Sequence, residues 1–336
     1  MTKIKIFLLK LFKSTSDFLR NTGLHKIIPY RAKFYDFLFQ HLWAGPDIIE
    51  IQGSKMYINV REKNLAMRRT FQTYALNLIH EKSTTNLFKK VVKEGDVVVD
   101  LGANIGYFTL LVASLVGKKG KVYSFEPEPR NYDYLVKNIE LNSYNNVFAI
   151  QKAVSDKNAK TKLFICPYDT GHHTIKQYEG IRDYKPEFLT KEEKFIEIET
   201  ITLDDFFKDK ERLIDVIKMD VEGAEMLALS GMDKIIRKNK NLKMFVEFFP
   251  LLIKKMGSSP EEFIRKLLED YRFSVFVIGK DYSMAQASDK EYLKINSSNE
   301  LLDLCQGEKG HVNLFLKKAS VYSSGVENIN NPNQIG

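Results

Sequence analysis

The chain of 336 residues holds two cysteines, Cys166 and Cys305. That is too few for a disulfide framework and makes a reducing compartment the default. No Cys-x-x-Cys or His-x-x-x-His pair is present, which excludes the usual four-ligand structural zinc site; the adjacent His172 and His173 suit chelation poorly. No apolar run is long enough to span a bilayer. The first such run, residues 6–9, is cut by Lys10, and no small-residue cleavage site of a secretory leader follows it. The expected location is therefore the cytoplasm.

Charge is abundant but uneven. Residues 1–43 carry eight basic side chains against Asp17 and Asp36, a net +6 out of +8 for the whole chain. A nucleic-acid enzyme spreads basic charge around its active-site rim, so a nucleic-acid partner is not expected. Within this segment Ile4, Phe7, Leu8, Leu11 and Phe12 fall on one stripe of a helix, with Lys3, Lys10 and Lys13 elsewhere. Such a helix either packs on its own domain or lies on an anionic membrane surface, which makes residues 1–20 the candidate contact with the inner membrane face. Gly45-Pro46 then punctuates the chain, and residues 48–51 with 56–60 flank Gly53 as a small hairpin.

Residues 1–80 are read as an N-terminal extension of amphipathic helices and this hairpin, residues 81–318 as an α/β domain, and residues 319–336 as a disordered tail. In the α/β domain, strand-like runs at 97–101, 121–125, 147–152, 214–219, 242–248 and 272–278 alternate with helical runs at 105–116, 130–141, 222–229 and 260–270. This alternation predicts right-handed βαβ units and a doubly wound, mostly parallel sheet. Residues 311–317 supply a last strand, antiparallel at or near an edge. Strand-like runs at 161–165 and 195–200 bracket a long polar loop, 166–194, that carries Gly171-His172-His173 and has the length of a lid or binding loop.

The informative stretch is residues 97–107, VVVDLGANIGY. A buried strand ends on Asp100, and a glycine-rich turn opens a helix. Gly102 permits a tight turn and close approach of a ligand, and Gly106 lets the helix start pack closely on the sheet. Counted from Gly102, the second and third glycines of a dinucleotide fingerprint are replaced by Asn104 and Tyr107, so a pyrophosphate site is disfavoured. Asp100 points the same way, because a carboxylate repels pyrophosphate and favours a sulfonium or an amino group. S-Adenosylmethionine has both cations and no phosphate. Glu126, ending the second strand, suits the ribose hydroxyls. Ser155 and Asp156, after the third, suit the adenine. Three acidic groups at three successive strand ends lie where such sheets bind ligands.

The stretches 97–109 (VVVDLGANIGYFT), 123–129 (YSFEPEP), 135–138, 153–156 (AVSD) and 217–231 (IKMDVEGAEMLALSG), with Glu247 ending the fifth strand, resemble the FkbM family of methyltransferases. The resemblance covers roughly residues 75–280. It implies a Rossmann-like class I methyltransferase fold, S-adenosylmethionine as donor and methylation of an oxygen. It says little about the acceptor.

Methyl transfer to a hydroxyl needs alignment and a place for the proton. By alternation Lys218 and Asp220 share a face, which makes Asp220 the first candidate on the acceptor side. Glu222 is either a base or a first-turn residue favoured by the helix dipole. His172 and His173 titrate near neutrality and are candidate bases. Gly231 is read as a helix terminator. No metal is assigned, although Asp220 and Glu247 offer oxygen ligands of the kind a divalent cation takes. The expected acceptor is a small-molecule or glycan hydroxyl. The competing readings are a nicotinamide-dependent oxidoreductase and a non-catalytic, membrane-associated protein with a vestigial nucleotide fold.

Overall fold

The computed structural model describes residues 2–21, 31–43, 45–76, 78–166, 170–176, 194–211, 213–279, 281, 292–305 and 310–318. The tail expected at 319–336 and the middle of the polar loop, 177–193, lie outside the described residues. The chain divides into two units, residues 1–80 with 167–170, and residues 81–166 with 171–336.

In the first unit, helices Thr2–Asn21 and Arg31–Leu42 pack through aromatic rings. Phe12 stacks on Tyr35 at 5.7 Å and meets the edge of Phe34 at 5.5 Å. Leu9 and Phe39 are fully buried. The predicted hairpin is present as β1 (Ile48–Ile51) and β2 (Ser54–Tyr57), joined by Gln52 and Gly53 at φ 51° and 86°, the left-handed pair that a two-residue hairpin turn requires. Helix Leu65–Ala75 follows, capped by the Asn64 side chain, which accepts from the Met67 amide at 3.0 Å. Its Arg68 forms a two-pronged pair with Asp36, both contacts 2.8 Å.

The second unit contains the expected sheet. Its strands are β3 (Val97–Leu101), β4 (Lys121–Phe125), β5 (Val147–Ile150), β9 (Val216–Met219), β10 (Lys243–Phe248), β11 (Phe273–Ile278), β12 (Tyr292–Ile295) and β13 (Val312–Lys318). They lie in the order β12-β11-β13-β10-β9-β3-β4-β5. From β10 to β5 every pairing is parallel, and β13 pairs antiparallel with both β10 and β11. Near-continuous apolar runs such as VVVDL and KMFVEF suit strands covered on both faces, and the corresponding side chains form the main core. The last strand is not at the edge. It inserts between β10 and β11, and β12, unforeseen from sequence, takes the edge position.

The strand foreseen over 147–152 is interrupted. β5 ends at Ile150, and Ala153–Val154 forms a separate strand, β6, in a three-stranded sheet with β7 (Ala159–Phe164) and β8 (Phe195–Ile201). The chain thus leaves the large sheet just before Ser155 and Asp156. Helices Lys82–Val91, Asp233–Lys238, Pro250–Lys255 and Ser298–Leu304 also carried too few periodic apolar positions to stand out in the sequence.

Gly231 does end a helix, but glycine is there for a different reason than a left-handed cap. It follows helix Glu225–Ser230 with an ordinary φ of −76°. A Cβ there would lie 1.9 Å from the Ser155 carbonyl oxygen, so glycine is needed for the approach of two backbones. Gly231→Ala is therefore expected to destabilise the protein by about 2–3 kcal/mol, the range of overpacking substitutions, measured by urea unfolding. A helix terminator with negative φ would tolerate alanine, and an unchanged midpoint would rule out the packing role.

Candidate functional site

Four neighbouring strands, β4, β3, β9 and β10, place carboxylates at or near their C-terminal ends. Register aligns Asp100 with Ser124 on one side and Lys218 on the other. These three side chains form a buried polar row beneath helix Tyr107–Val116. Thr109 donates its hydroxyl to Asp100 Oδ2 at 2.7 Å and lies 2.9 Å from Ser124 Oγ. Lys218 Nζ donates to Asp220 Oδ2 at 3.0 Å and stands 3.9 Å from Asp100 Oδ1. Burial pushes the Asp100 carboxyl above its usual range, and the Lys218 ammonium opposes that shift. For Lys218 the order reverses: burial works against the charge, but Asp220 and Asp100 together hold the proton more tightly than in water. Asp100 is 1% exposed, so the structure gives it a cationic partner inside the protein, where the sequence suggested one on the ligand. Among the described residues its Oδ1 accepts no hydrogen bond.

The turn after β3 is shaped by the strand ends beside it. Gly102 has φ 76°, and a Cβ there would fall 1.9 Å from the Asp220 carbonyl oxygen. The close approach that demands glycine is thus to the turn after β9, not to a ligand. Gly106, at φ 100°, would clash with Leu135 of helix Pro129–Leu141. Its neighbour across the gap is a second helix rather than the sheet. Asn104, at φ 50°, is fixed by Glu126, whose Oε2 accepts its amide at 2.8 Å while Oε1 accepts the Glu128 amide at 2.9 Å. Glu126 is buried, and desolvation raises its pKa to about 7 despite those amides. Ser155 is buried, whereas Asp156 is exposed and accepts from the Ser155 hydroxyl at 3.1 Å. Both sit beyond β6, on the small sheet.

On the other side of the switch between β3 and β9, three carboxylates converge. Oxygens of Asp220, Glu222 and Glu247 all lie within 4.8 Å of one another, each side chain half-buried. Glu222 (φ 53°) and Gly223 (φ 95°) are consecutive left-handed residues that fold the turn back. A Cβ on Gly223 would press to 2.8 Å of the Leu252 carbonyl. Glu225 underpins this turn: Oε1 accepts the Gly223 amide at 3.1 Å, and burial raises its carboxyl to about 7. Like charge from Asp220, Glu222 and Glu81, added to burial, drives Glu247 well above the usual carboxylate range. Three carboxylates so close cannot all ionise without a compensating cation or a shared proton. This oxygen-only set has the composition that a hard divalent cation takes.

The two adjacent histidines part company. His173 Nδ1 accepts the Cys166 amide at 3.0 Å, which commits that ring to holding its own loop. His172 instead lies within electrostatic reach of His311, itself half-buried and lowered by desolvation and by His172. Glu81 and Asp220 partly offset that lowering. His311 precedes β13 and packs on Phe249 with ring centres 5.0 Å apart. Lys176 Nζ donates to the Met256 carbonyl at 3.3 Å, bringing the residues after the histidines to the end of helix Pro250–Lys255. His311 and Glu81 are site residues that sequence reasoning missed. Neither lies in a motif, and each reaches the site only through its strand or helix start: Glu81 accepts from Asn313 of β13 at 2.8 Å.

The polar row predicts a specific stability pattern. Lys218→Met should destabilise by about 3–5 kcal/mol by leaving a buried carboxylate without its cation. Adding Asp100→Asn should restore a large part of the loss. Urea unfolding of the two single variants and the double variant checks this, and additive losses would show that the pair is not coupled.

Residues 100–275 match the profile of the "Methyltransferase FkbM domain". Among curated proteins, the chain is 30% identical over 145 residues to "Methyltransferase 1" of Beauveria bassiana, covering 40% of this chain and 58% of that protein. It is 33% identical over 158 residues to "Methyltransferase sdnD" of Sordaria araneosa, covering 41% and 60%. It is 26% identical over 212 residues to "Hexuronic acid methyltransferase AglP" of Haloferax volcanii, covering 60% and 77%. The chain thus spans about three fifths of the length of the first two relatives.

Proposed function

Because the chain belongs to the FkbM methyltransferase family, we propose that it transfers a methyl group from S-adenosylmethionine to a hydroxyl oxygen of a sugar, glycan or other small acceptor. The observation that carries this reading is the set of carboxylates at the ends of β4, β9 and β10, Glu126, Asp220 and Glu247, beside the turn after β3, at a switch point where open α/β sheets bind ligands. Such a rim repels a pyrophosphate and attracts a sulfonium and an ammonium. The glycine turn is compatible with the same donor, since it lacks the second and third glycines of a dinucleotide loop.

When bound, S-adenosylmethionine supplies a methyl carbon already activated by positive sulfur. The protein's task is then alignment, exclusion of water and removal of one proton. Glu126, already fixing the turn through the Asn104 amide, retains lone pairs for ribose hydroxyls. Gly102, Asn104 and Gly106 form the turn after β3, and Ser155 and Asp156 follow β6; in this reading they complete the donor site. Lys218 donates to Asp220 Oδ2 and orients it, so Asp220 can hold the acceptor hydroxyl. Bound there, S-adenosylmethionine would supply the methyl group to the oxygen held by Asp220 and keep the electron pair of the broken bond on its sulfur. The hydroxyl proton passes to an acceptor-side base, for which Glu222, Glu247, His172 and His311 are the nearby groups. Were a divalent cation held by Asp220, Glu222 and Glu247, it would supply Lewis acidity at that same oxygen. The sugar or glycan preference is supported by the similarity to the hexuronic acid methyltransferase of Haloferax volcanii.

Calorimetric titration with S-adenosylhomocysteine and with NADH tests the donor. Binding of S-adenosylhomocysteine is expected, and binding of NADH alone would favour the oxidoreductase reading instead. The same titration carries a pH signature. Glu126 has its folded pKa raised to about 7, so its ionised form grows in as pH rises through neutrality, and ribose hydroxyls donate more strongly to it. Affinity should increase about fivefold between pH 6 and pH 8, the difference between neutral and charge-assisted hydrogen bonds. The free protein should behave oppositely, losing stability as pH rises from the ordinary carboxylate pKa to about 7, because folding then opposes ionisation. A pH-independent affinity would separate Glu126 from the ribose.

Asp220→Asn probes the acceptor side. S-Adenosylhomocysteine affinity should stay within about twofold, while methyl transfer falls on the order of 100-fold, typical of losing an acid–base or positioning group. Transfer is followed by mass spectrometry of uronic-acid-bearing glycans incubated with isotope-labelled donor. Unchanged transfer would remove Asp220 from the mechanism.

A further inference from the structure

Helix Thr2–Asn21 leaves an apolar stripe uncovered. Ile4, Phe7, Leu8 and Leu11 are 65%, 63%, 47% and 53% exposed, and they follow one another at three- and four-residue steps along one face. The neighbouring face does the packing, through buried Leu9 and through Phe12 against Phe34 and Tyr35. The stripe is thus left over after the helix has satisfied its own unit. The reading in which these residues pack on the protein's own domain holds for Phe12 and fails for the other four. The second helix extends the patch, with Phe34 and Phe37 52% and 53% exposed. Exposed large apolar residues gathered in this way mark a surface that meets something.

The charge decides what that is. Eight basic residues against two acidic ones within residues 1–43 give +6, and Lys10 stands exposed beside the stripe with Lys5 and Lys13 half-buried. A second copy of the chain docked on the same face would bring +6 against +6 across a two-fold axis, which is repulsive. A polyphosphate chain would match the lysines but not the aromatic and aliphatic centre. A sheet of anionic headgroups over acyl chains matches both, with the apolar side chains entering the headgroup boundary and the lysine stems reaching up to the phosphates. Among the described residues no helix is long and apolar enough to cross a membrane, so the contact would lie in the plane of the interface.

We propose that the first unit seats on an anionic lipid bilayer through helix Thr2–Asn21, its Ile4, Phe7, Leu8 and Leu11 side chains entering the interface and its lysines pairing with lipid phosphates. The inference is independent of the chemistry assigned to the second unit. It is a surface that the activity does not require, and it would restrict the enzyme to acceptors carried at or near a membrane.

The test is co-sedimentation of the full chain with two vesicle preparations, one of phosphatidylcholine alone and one of equal parts phosphatidylcholine and phosphatidylglycerol. Binding to the anionic vesicles is expected, with little to the neutral ones. It should be largely lost in about 0.5 M salt, where the screening length shrinks to about 4 Å. Phe7→Ser/Leu11→Ser and Lys5→Glu/Lys10→Glu should each lower the bound fraction about fivefold or more. All four positions are exposed or half-buried, and circular dichroism confirms that the variants fold. S-Adenosylhomocysteine affinity should not change in either variant, so a failed donor hypothesis and a failed membrane hypothesis give different results. No binding of the wild type to anionic vesicles would overturn the proposal, as would equal binding of the Phe7/Leu11 variant. A wild-type dimer in light scattering that the apolar variant dissolves would assign the face to a second copy.

Discussion

Lys218 is the side chain on which the second unit's chemistry turns. It sits in the middle of the sheet, buried, with Asp220 at 3.0 Å and Asp100 at 3.9 Å. A lone buried ammonium would shed its proton and a lone buried carboxylate would take one up. Here the two carboxylates hold the proton on Lys218, and the strands that carry Lys218 and Asp100, β9 and β3, are the pair at which the sheet reverses its winding. The same contact fixes the turns after both strands. Gly102 of one turn touches the Asp220 carbonyl of the other so closely that no side chain fits between them. The ion pairs and this contact therefore tie the turn after β3 to the turn after β9.

From this centre the carboxylates separate into two kinds by their partners. Asp100, Glu126 and Glu225 are buried and spend most of their oxygens on backbone amides, a hydroxyl or Lys218. They shape loops, and Glu126 retains lone pairs at the edge of the turn it holds. Asp220, Glu222 and Glu247 are half-buried and crowd one another. Their mutual repulsion is the electrostatic tension of the site, relieved by a proton on Glu247 or by a cation. His311, at the start of β13, lies within electrostatic reach of Asp220, and His172, from the loop after β7, lies within reach of His311.

The first unit obeys a different constraint. Its internal packing rests on aromatic contacts between two helices and on the Arg68–Asp36 pair. These leave an uncovered stripe on a strongly basic helix. Apolar exposure costs free energy in water unless another surface covers it, which is why this feature, irrelevant to methyl transfer, carries a separate inference.

The local sequence was enough to locate most strands of the large sheet, the glycine turn, the acidic residues at the ends of β3, β4 and β9, and the shared face of Lys218 and Asp220, because each follows from a period of two or from the unique backbone freedom of glycine. It was also enough to mark Ile4, Phe7, Leu8 and Leu11 as one stripe. Only tertiary structure decided what those residues face. Asp100 meets Lys218 because register brings β3 beside β9, and Gly231 is glycine because Ser155 passes behind it. Ser155 and Asp156 leave the large sheet because residues 153–154 pair with β8. Glu81 and His311 join the site through folding of long stretches of chain, for which no local pattern exists. Periodicity records which face of an element is apolar. Which other element covers that face, and which charges end up sharing a low-dielectric space, depends on long-range pairing alone.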